Sequence, residues 1–160
     1  MAEVIEALRH GAAHWPSRIA FRDHMGEVSY GALARRVAGI METLRGGDTP
    51  IGLMAENGIG WVAADLAVTA SGRRFVPLPP FFSDDQLLHV VKDSGLGLIL
   101  ADDALIERAA RFAPVSPIPG DESDASALAG ALPGERIIYT SGSTGQPKGV
   151  RLGDAQLDHV

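Results

Sequence analysis

The chain has no cysteine, and only two of its 14 basic residues, Lys92 and Lys148, are lysines. Without cysteine there are no disulfides and no thiolate metal sites, a composition suited to a reducing cytoplasm. Twenty acidic residues leave a net charge of −6, and the basic ones form no cluster. Nucleic acid and anionic membranes are therefore excluded as main partners. No segment approaches the roughly 18 uncharged apolar residues that a membrane span needs. The opening Met-Ala-Glu-Val-Ile-Glu-Ala-Leu-Arg-His places acids early and has no apolar core of signal-peptide length. What remains is a globular composition, 46% hydrophobic and 21% charged over 160 residues. That length suffices for one domain that buries roughly 70% of its unfolded surface.

Short apolar runs alternate with helical patterns. Val4, Ile5, Leu8 and Ala12 share one helical face, and Pro16 ends that helix. Residues 19–22 and 28–30 flank Asp23-His24-Met25-Gly26, the pattern of a hairpin. Apolar residues at 33, 37, 40, 41 and 44 predict a helix from Tyr30 to Leu44, closed by Gly46-Gly47. Strands are expected at 51–54, 74–78 and 96–101, with helices at 59–71, 84–93 and 103–112 between or after them. This is the spacing of βαβ units, so the expected fold class is α/β, a parallel sheet covered by helices. Residues 113–134 hold four prolines and an acidic, alanine-rich stretch. They read as a surface connection, partly helical near 126–132. Strands return at 136–139 and 150–152, and Asp154 is a candidate cap for a last helix.

Between those two strands, residues 140–149 pack three glycines, four hydroxyl side chains and one lysine into ten positions. Gly142, Gly145 and Gly149 permit positive φ and close backbone approach. Successive N–H groups can then form an anion-binding concavity. Thr140, Ser141, Ser143 and Thr144 add uncharged donors, Lys148 one point charge, and Pro147 stiffness; together these suit a polyphosphate. By composition alone such a ten-mer is more often a flexible linker. Both ends, however, are anchored in apolar strands, and the segment holds one of two lysines in a chain that otherwise uses arginine. It is neither a Walker A loop nor a Gly-x-Gly-x-x-Gly turn.

Residues 137–150, Ile-Ile-Tyr-Thr-Ser-Gly-Ser-Thr-Gly-Gln-Pro-Lys-Gly-Val, resemble the AMP-binding signature of the adenylate-forming superfamily. That group includes acyl-CoA synthetases, peptide-synthetase adenylation domains and luciferases. Three earlier segments are similar to family motifs in the right order. They are Val28-Ser29-Tyr30-Gly31-Ala32-Leu33, then Gly52 to Asn57 followed by Trp61 and Ala64, then Ser71 to Leu78. The resemblance covers nearly the whole chain and implies residues 1–160 to be the first part of the large N-terminal, AMP-binding domain. It assigns Thr140, Ser141, Gly142, Ser143, Thr144, Gly145 and Lys148 to the β- and γ-phosphates of ATP, with Lys148 as the catalytic charge. ATP, Mg2+ and coenzyme A are the implied co-substrates, and a small carboxylic acid is the implied partner. The sequence departs from the family at Arg73-Arg74, where a small and an apolar residue are usual. It departs again at Gly153-Asp154, in place of a Ser/Thr-His pair.

Three other groupings invite chemistry. His10 and His14, four apart on a helix, form a two-ligand metal face without an evident third ligand, and read better as exposed histidines. Asp84-Asp85 and Asp102-Asp103 precede helical patterns and read as caps rather than a carboxylate pair. Trp15, Trp61, Phe75, Phe81 and Phe82 could line an acyl pocket, with core packing the simpler account. The leading functional reading is the opening piece of an ATP-dependent acid–CoA ligase, inactive without its C-terminal remainder. The alternatives are a piece of a peptide-synthetase adenylation domain, or a short non-catalytic nucleotide-binding protein.

Overall fold

An amphipathic helix, α1 (Ala2–His14), buries Ile5 and Leu8 and stops before Pro16. The antiparallel hairpin β1 (Ile19–Arg22) and β2 (Glu27–Ser29) follows as a separate two-stranded sheet. Ser29 accepts a hydrogen bond from the Ala32 N–H at 3.3 Å and so caps α2 (Tyr30–Thr43). The computed structural model describes residues 2–120, 128, 132, 134–141 and 146–153.

After β3 (Ile51–Met54), helix α3 (Ile59–Ala70) begins at Gly58, which has no side chain to cap it. The hairpin turn supplies the cap instead. Asp23 Oδ1 accepts from Met25 N and Gly26 N at 2.7 and 3.0 Å, and its Oδ2 accepts from Ile59 N at 2.8 Å. One carboxylate thus closes the turn and satisfies an orphan donor of α3.

The remaining elements are β4 (Phe75–Pro77), α4 (Asp84–Ser94), β5 (Leu98–Ala101), α5 (Ile106–Ala109), β6 (Val115–Pro117), β7 (Glu135–Ser141) and β8 (Pro147–Gly153). Ser83 and Gln86 form a reciprocal capping box at the start of α4, and Gly95, at φ 65°, ends it in the left-handed region. Six strands form one sheet in the order β6-β5-β3-β4-β7-β8. The pairs from β6 through to β7 are parallel, as the alternation predicts. The last pair, β7 with β8, is antiparallel, so the sheet is mixed. Alternate residues of the strands face opposite cores. Ile51, Leu53, Phe75 and Leu100 pack with α1, α2 and α3, while Met54, Val76, Ile99 and Ala101 pack with α4 and α5.

Two expectations are corrected. The helix expected at 103–112 is only the four residues of α5. Asp102 does not cap it: its Oδ1 accepts from Leu105 N at 3.0 Å and closes the preceding turn, while the helix itself starts after Leu105 without a side-chain cap. By Arg111 and Phe112 the bonds have tightened to three-residue turns, and Pro114 prevents continuation. Residues 113–134 are not merely a surface connection either. Val115–Pro117 forms the edge strand β6, where a proline is tolerated, and Leu128 is buried in the core beneath α3. Residues 121–127, 129–131 and 133, with most of the helix expected at 126–132, lie outside the described residues. So does the helix expected after Asp154.

The three backbone donors, Ile59 N above all, hold the Asp23 carboxyl below the usual carboxylate range. A carboxyl lowered by folding contributes stability above its unfolded pKa and loses it as pH falls through the folded value. Asp23→Ala is therefore expected to lower the midpoint of chemical denaturation at neutral pH. The difference from wild type should shrink as pH drops below 3.8. A difference that stays constant from pH 7 to 3 would contradict the cap.

Candidate functional site

Because β3, β4, β5 and β7 run parallel, their carboxyl ends open on one edge of the sheet. Between β3 and β5 the strand order reverses, since the chain leaves β3 towards β4 but leaves β5 towards β6. Ligands of open α/β sheets favour this edge. At the reversal itself Asp102 Oδ2 accepts from Glu56 N at 2.8 Å and bridges the two strand ends. Beside it, a cavity of about 550 Å³ is lined by Leu53, Glu56, Asn57, Trp61, Pro77 and Phe81 among others. Arg108 braces the segment that contributes Pro80 and Phe81 to the lining, donating to the carbonyls of Pro80 and Phe82 and to Asp84 Oδ1.

The aromatic residues divide accordingly. Phe75 and Phe82 are core, Trp15 and Phe81 are exposed, and Trp61 and Phe81 face the cavity. Trp61 also packs edge-on against Phe75, with ring centroids 6.1 Å apart. His10 and His14 stack at 4.1 Å on an exposed face, where His14 Nδ1 bonds the His10 carbonyl. No group of three or more His, Asp or Glu side chains able to hold a metal occurs among the described residues.

The strands that flank the serine-, threonine- and glycine-rich segment pair as the β7–β8 hairpin, and the carboxyl end of β7 lies on the same edge. Thr140 stands directly opposite Lys148, and Ser141 opposite Pro147. Thr140 and Lys148 are both exposed, and Lys148 has no ion pair with a described residue. Gly142, Ser143, Thr144 and Gly145 lie outside the described residues. The structure therefore brings together one cation and one hydroxyl at the mouth of the loop. The expected ten-residue loop is shorter, because both of its ends belong to the ladder. Gly149 does not take positive φ. It is needed for close approach, since a Cβ there would lie 3.0 Å from Ile137 Cγ2 and from the Tyr139 ring.

What holds this hairpin in place was not legible as a site. On one face, Arg136 Nη2 lies 2.6 Å from Asp65 Oδ1 of α3, a charge contact too oblique to count as a hydrogen bond. Arg136 Nη2 also donates to Thr69 Oγ1 at 3.0 Å, and the guanidinium lies 4.9 Å from the Phe75 ring centroid. Burial raises the Asp65 carboxyl, against the opposing pull of Arg136. On the other face, the Tyr139 hydroxyl donates to Asp93 Oδ2 of α4 at 2.6 Å. Burial, then the neighbouring carboxylate, raises the Tyr139 phenol above its ordinary range.

The family described as AMP-binding enzyme matches residues 8–157. This chain belongs to that family. Among curated relatives, bacitracin synthase 3 of Bacillus licheniformis is 32% identical over 150 residues, covering 88% of this chain and 2% of that protein. Tyrocidine synthase 3 of Brevibacillus parabrevis is 30% identical over 151 residues, with 88% and 2% covered. A four-domain nonribosomal peptide synthetase solved with AMP and glycine superposes with a TM-score of 0.76 at 29% identity, over 93% of this chain and 12% of that one. A fatty acyl-adenylate ligase from L. pneumophila superposes at 0.77 over 98% of this chain and 31% of that one. At 22% identity the latter speaks for the fold alone. The chain thus corresponds to a small part of each of these relatives.

For this member of the AMP-binding family, Asp65→Ala is expected to cost about 3–5 kcal/mol, because it strands the buried Arg136 charge. Replacing both partners by apolar residues should cost less. Urea denaturation of the two variants checks the order.

Proposed function

We propose that this chain is the phosphate-binding N-terminal portion of an enzyme that adenylates an amino acid, in the manner of a peptide-synthetase adenylation domain. A carboxylate oxygen attacks the α-phosphorus of ATP, the bond to the β-phosphate oxygen breaks, and pyrophosphate departs. The acyl group then passes to a thiol, that of a carrier protein rather than coenzyme A. The observation that carries this reading is the identity of the relatives. Those at 30–32% identity over 88% of the chain are peptide synthetases. A further structural relative, VinN, was solved with 3-methylaspartate at 27% identity and a TM-score of 0.74.

The hairpin geometry suits the phosphate end of this reaction. A magnesium ion bound with the nucleotide would shield its phosphates. Lys148 and the neutral donors from Thr140 to Gly145 meet the charge that builds on departing pyrophosphate. The acid–CoA ligase reading shares this step and differs in acid and acceptor. It has less support, because the fatty acyl-adenylate ligase is similar only in fold.

ATP–pyrophosphate exchange by the full-length protein that carries this chain separates the two. Exchange stimulated by an amino acid, and not by straight-chain carboxylic acids, is expected; the reverse would overturn the proposal. The 160-residue chain alone is expected to show no acid-dependent exchange.

In the full-length protein, Lys148→Ala is expected to slow adenylation roughly 10²-fold, since a cation in a phosphate clamp contributes a few kcal/mol. Lys148→Arg should also be impaired, because the planar fork does not reproduce a point charge. Thiol capture of a chemically prepared aminoacyl-adenylate involves no pyrophosphate and should change little. Equal losses in both half-reactions would mean that Lys148 supports the loop rather than the phosphates.

A further inference from the structure

Pro147 is the first residue of β8 and immediately precedes Lys148. As a proline it gives no N–H to the ladder. It is buried, and its carbonyl accepts a hydrogen bond from outside the hairpin, from the Nε2–H of His89 at 3.1 Å. The acceptor is a carbonyl, so the imidazole must present Nε2 protonated. His89 lies on α4, one turn before Asp93, whose carboxylate takes the Tyr139 hydroxyl of the facing strand. One helix face therefore grips both strands at the root of the loop, one through its backbone and the other through a side chain.

The peptide unit between Pro147 and Lys148 is planar and rigid. Fixing its carbonyl fixes the direction of the Lys148 N–H, and with it the axis from which the Lys148 side chain leaves the strand. Tyr139 lies opposite Gly149, so the far side of Lys148 is pinned as well. Register places Lys148 and Thr140 on the sheet face turned away from α4. His89 consequently does not approach the space in front of the lysine.

We infer that His89 is a positioning residue: its hydrogen bond to the Pro147 carbonyl aims Lys148 at the phosphate group bound by the loop. This rests on the phosphate-loop reading above, and its test is arranged so that the two can fail separately.

The probe is inorganic pyrophosphate, titrated calorimetrically into the full-length protein that carries this chain. His89→Phe keeps a planar ring and removes the donor; His89→Gln keeps an amide N–H of similar reach. Losing one hydrogen bond of ordinary strength, His89→Phe is expected to weaken pyrophosphate binding by up to about tenfold, with His89→Gln recovering most of it. The deciding measurement is a double-mutant cycle with Lys148→Ala. If His89 acts through Lys148, the loss caused by Lys148→Ala is smaller in the His89→Phe background than in wild type. Additive losses, or wild-type affinity in His89→Phe, would overturn the positioning role while leaving the phosphate loop standing. Failure of the full-length wild-type protein to bind pyrophosphate would instead overturn the phosphate-loop reading, and this inference with it.

Discussion

The placement of the β7–β8 hairpin depends first on a largely buried charge contact, Arg136 of β7 against Asp65 of α3. β7 touches the parallel sheet through a single register pair, Phe75 with Arg136. Such a short ladder is a weak attachment for a strand that carries the loop. Arg136 strengthens it by reaching into α3, beside Asp65 and Thr69, with the Phe75 ring beneath the guanidinium. A buried pair of this kind adds little net stability over an apolar contact of equal shape, but it penalises any arrangement that separates the charges. It therefore acts on geometry more than on energy. From Arg136 the strand runs four residues to Thr140, opposite Lys148.

The second face completes the attachment. α4 crosses beneath the hairpin and takes the Tyr139 hydroxyl on Asp93 and the Pro147 carbonyl on His89. Helix α3 thus holds one face of β7, and α4 holds the other face of β7 together with β8. Preorganised donors stabilise developing charge because nothing has to be reoriented during reaction. The cavity beside Trp61 opens on the same edge, and Trp61 packs on the Phe75 ring that supports Arg136. Cavity and hairpin consequently share one structural support.

The unusual Arg73-Arg74 pair lies at the amino end of β4, remote from this edge. Arg73 donates to the Leu44 carbonyl, the first residue past α2, and to Thr49, so it closes the turn between α2 and β3. Arg74 pairs with Glu135 at 3.0 Å on the partly exposed rim. These arginines serve the fold's lower end.

The chain's local chemistry was enough to place most elements. Ser29 and Ser83 cap the helices they precede, Gln86 inside α4 completes the second cap, and an apolar run as short as Ile51–Met54 suits an interior strand. The ten-residue motif was legible because strand, glycine and lysine are consecutive in the sequence. Contacts between distant residues were not. Asp23 was only a turn residue until folding brought Ile59 to it, and His89 was only a polar position on an amphipathic helix until β8 lay alongside. β6 was missed because three residues ending in proline carry no periodic signal, and only the exposed edge of β5 gives them a partner. Periodicity and capping are local energies written residue by residue, so the sequence alone determined helices α1 to α4 and most strands, and singled out residues 140–149 as a motif. Contacts such as His89 with Pro147 and Tyr139 with Asp93, 58 and 46 residues apart, depend on the relative placement of whole elements, so only the tertiary structure decided which side chains fasten that motif.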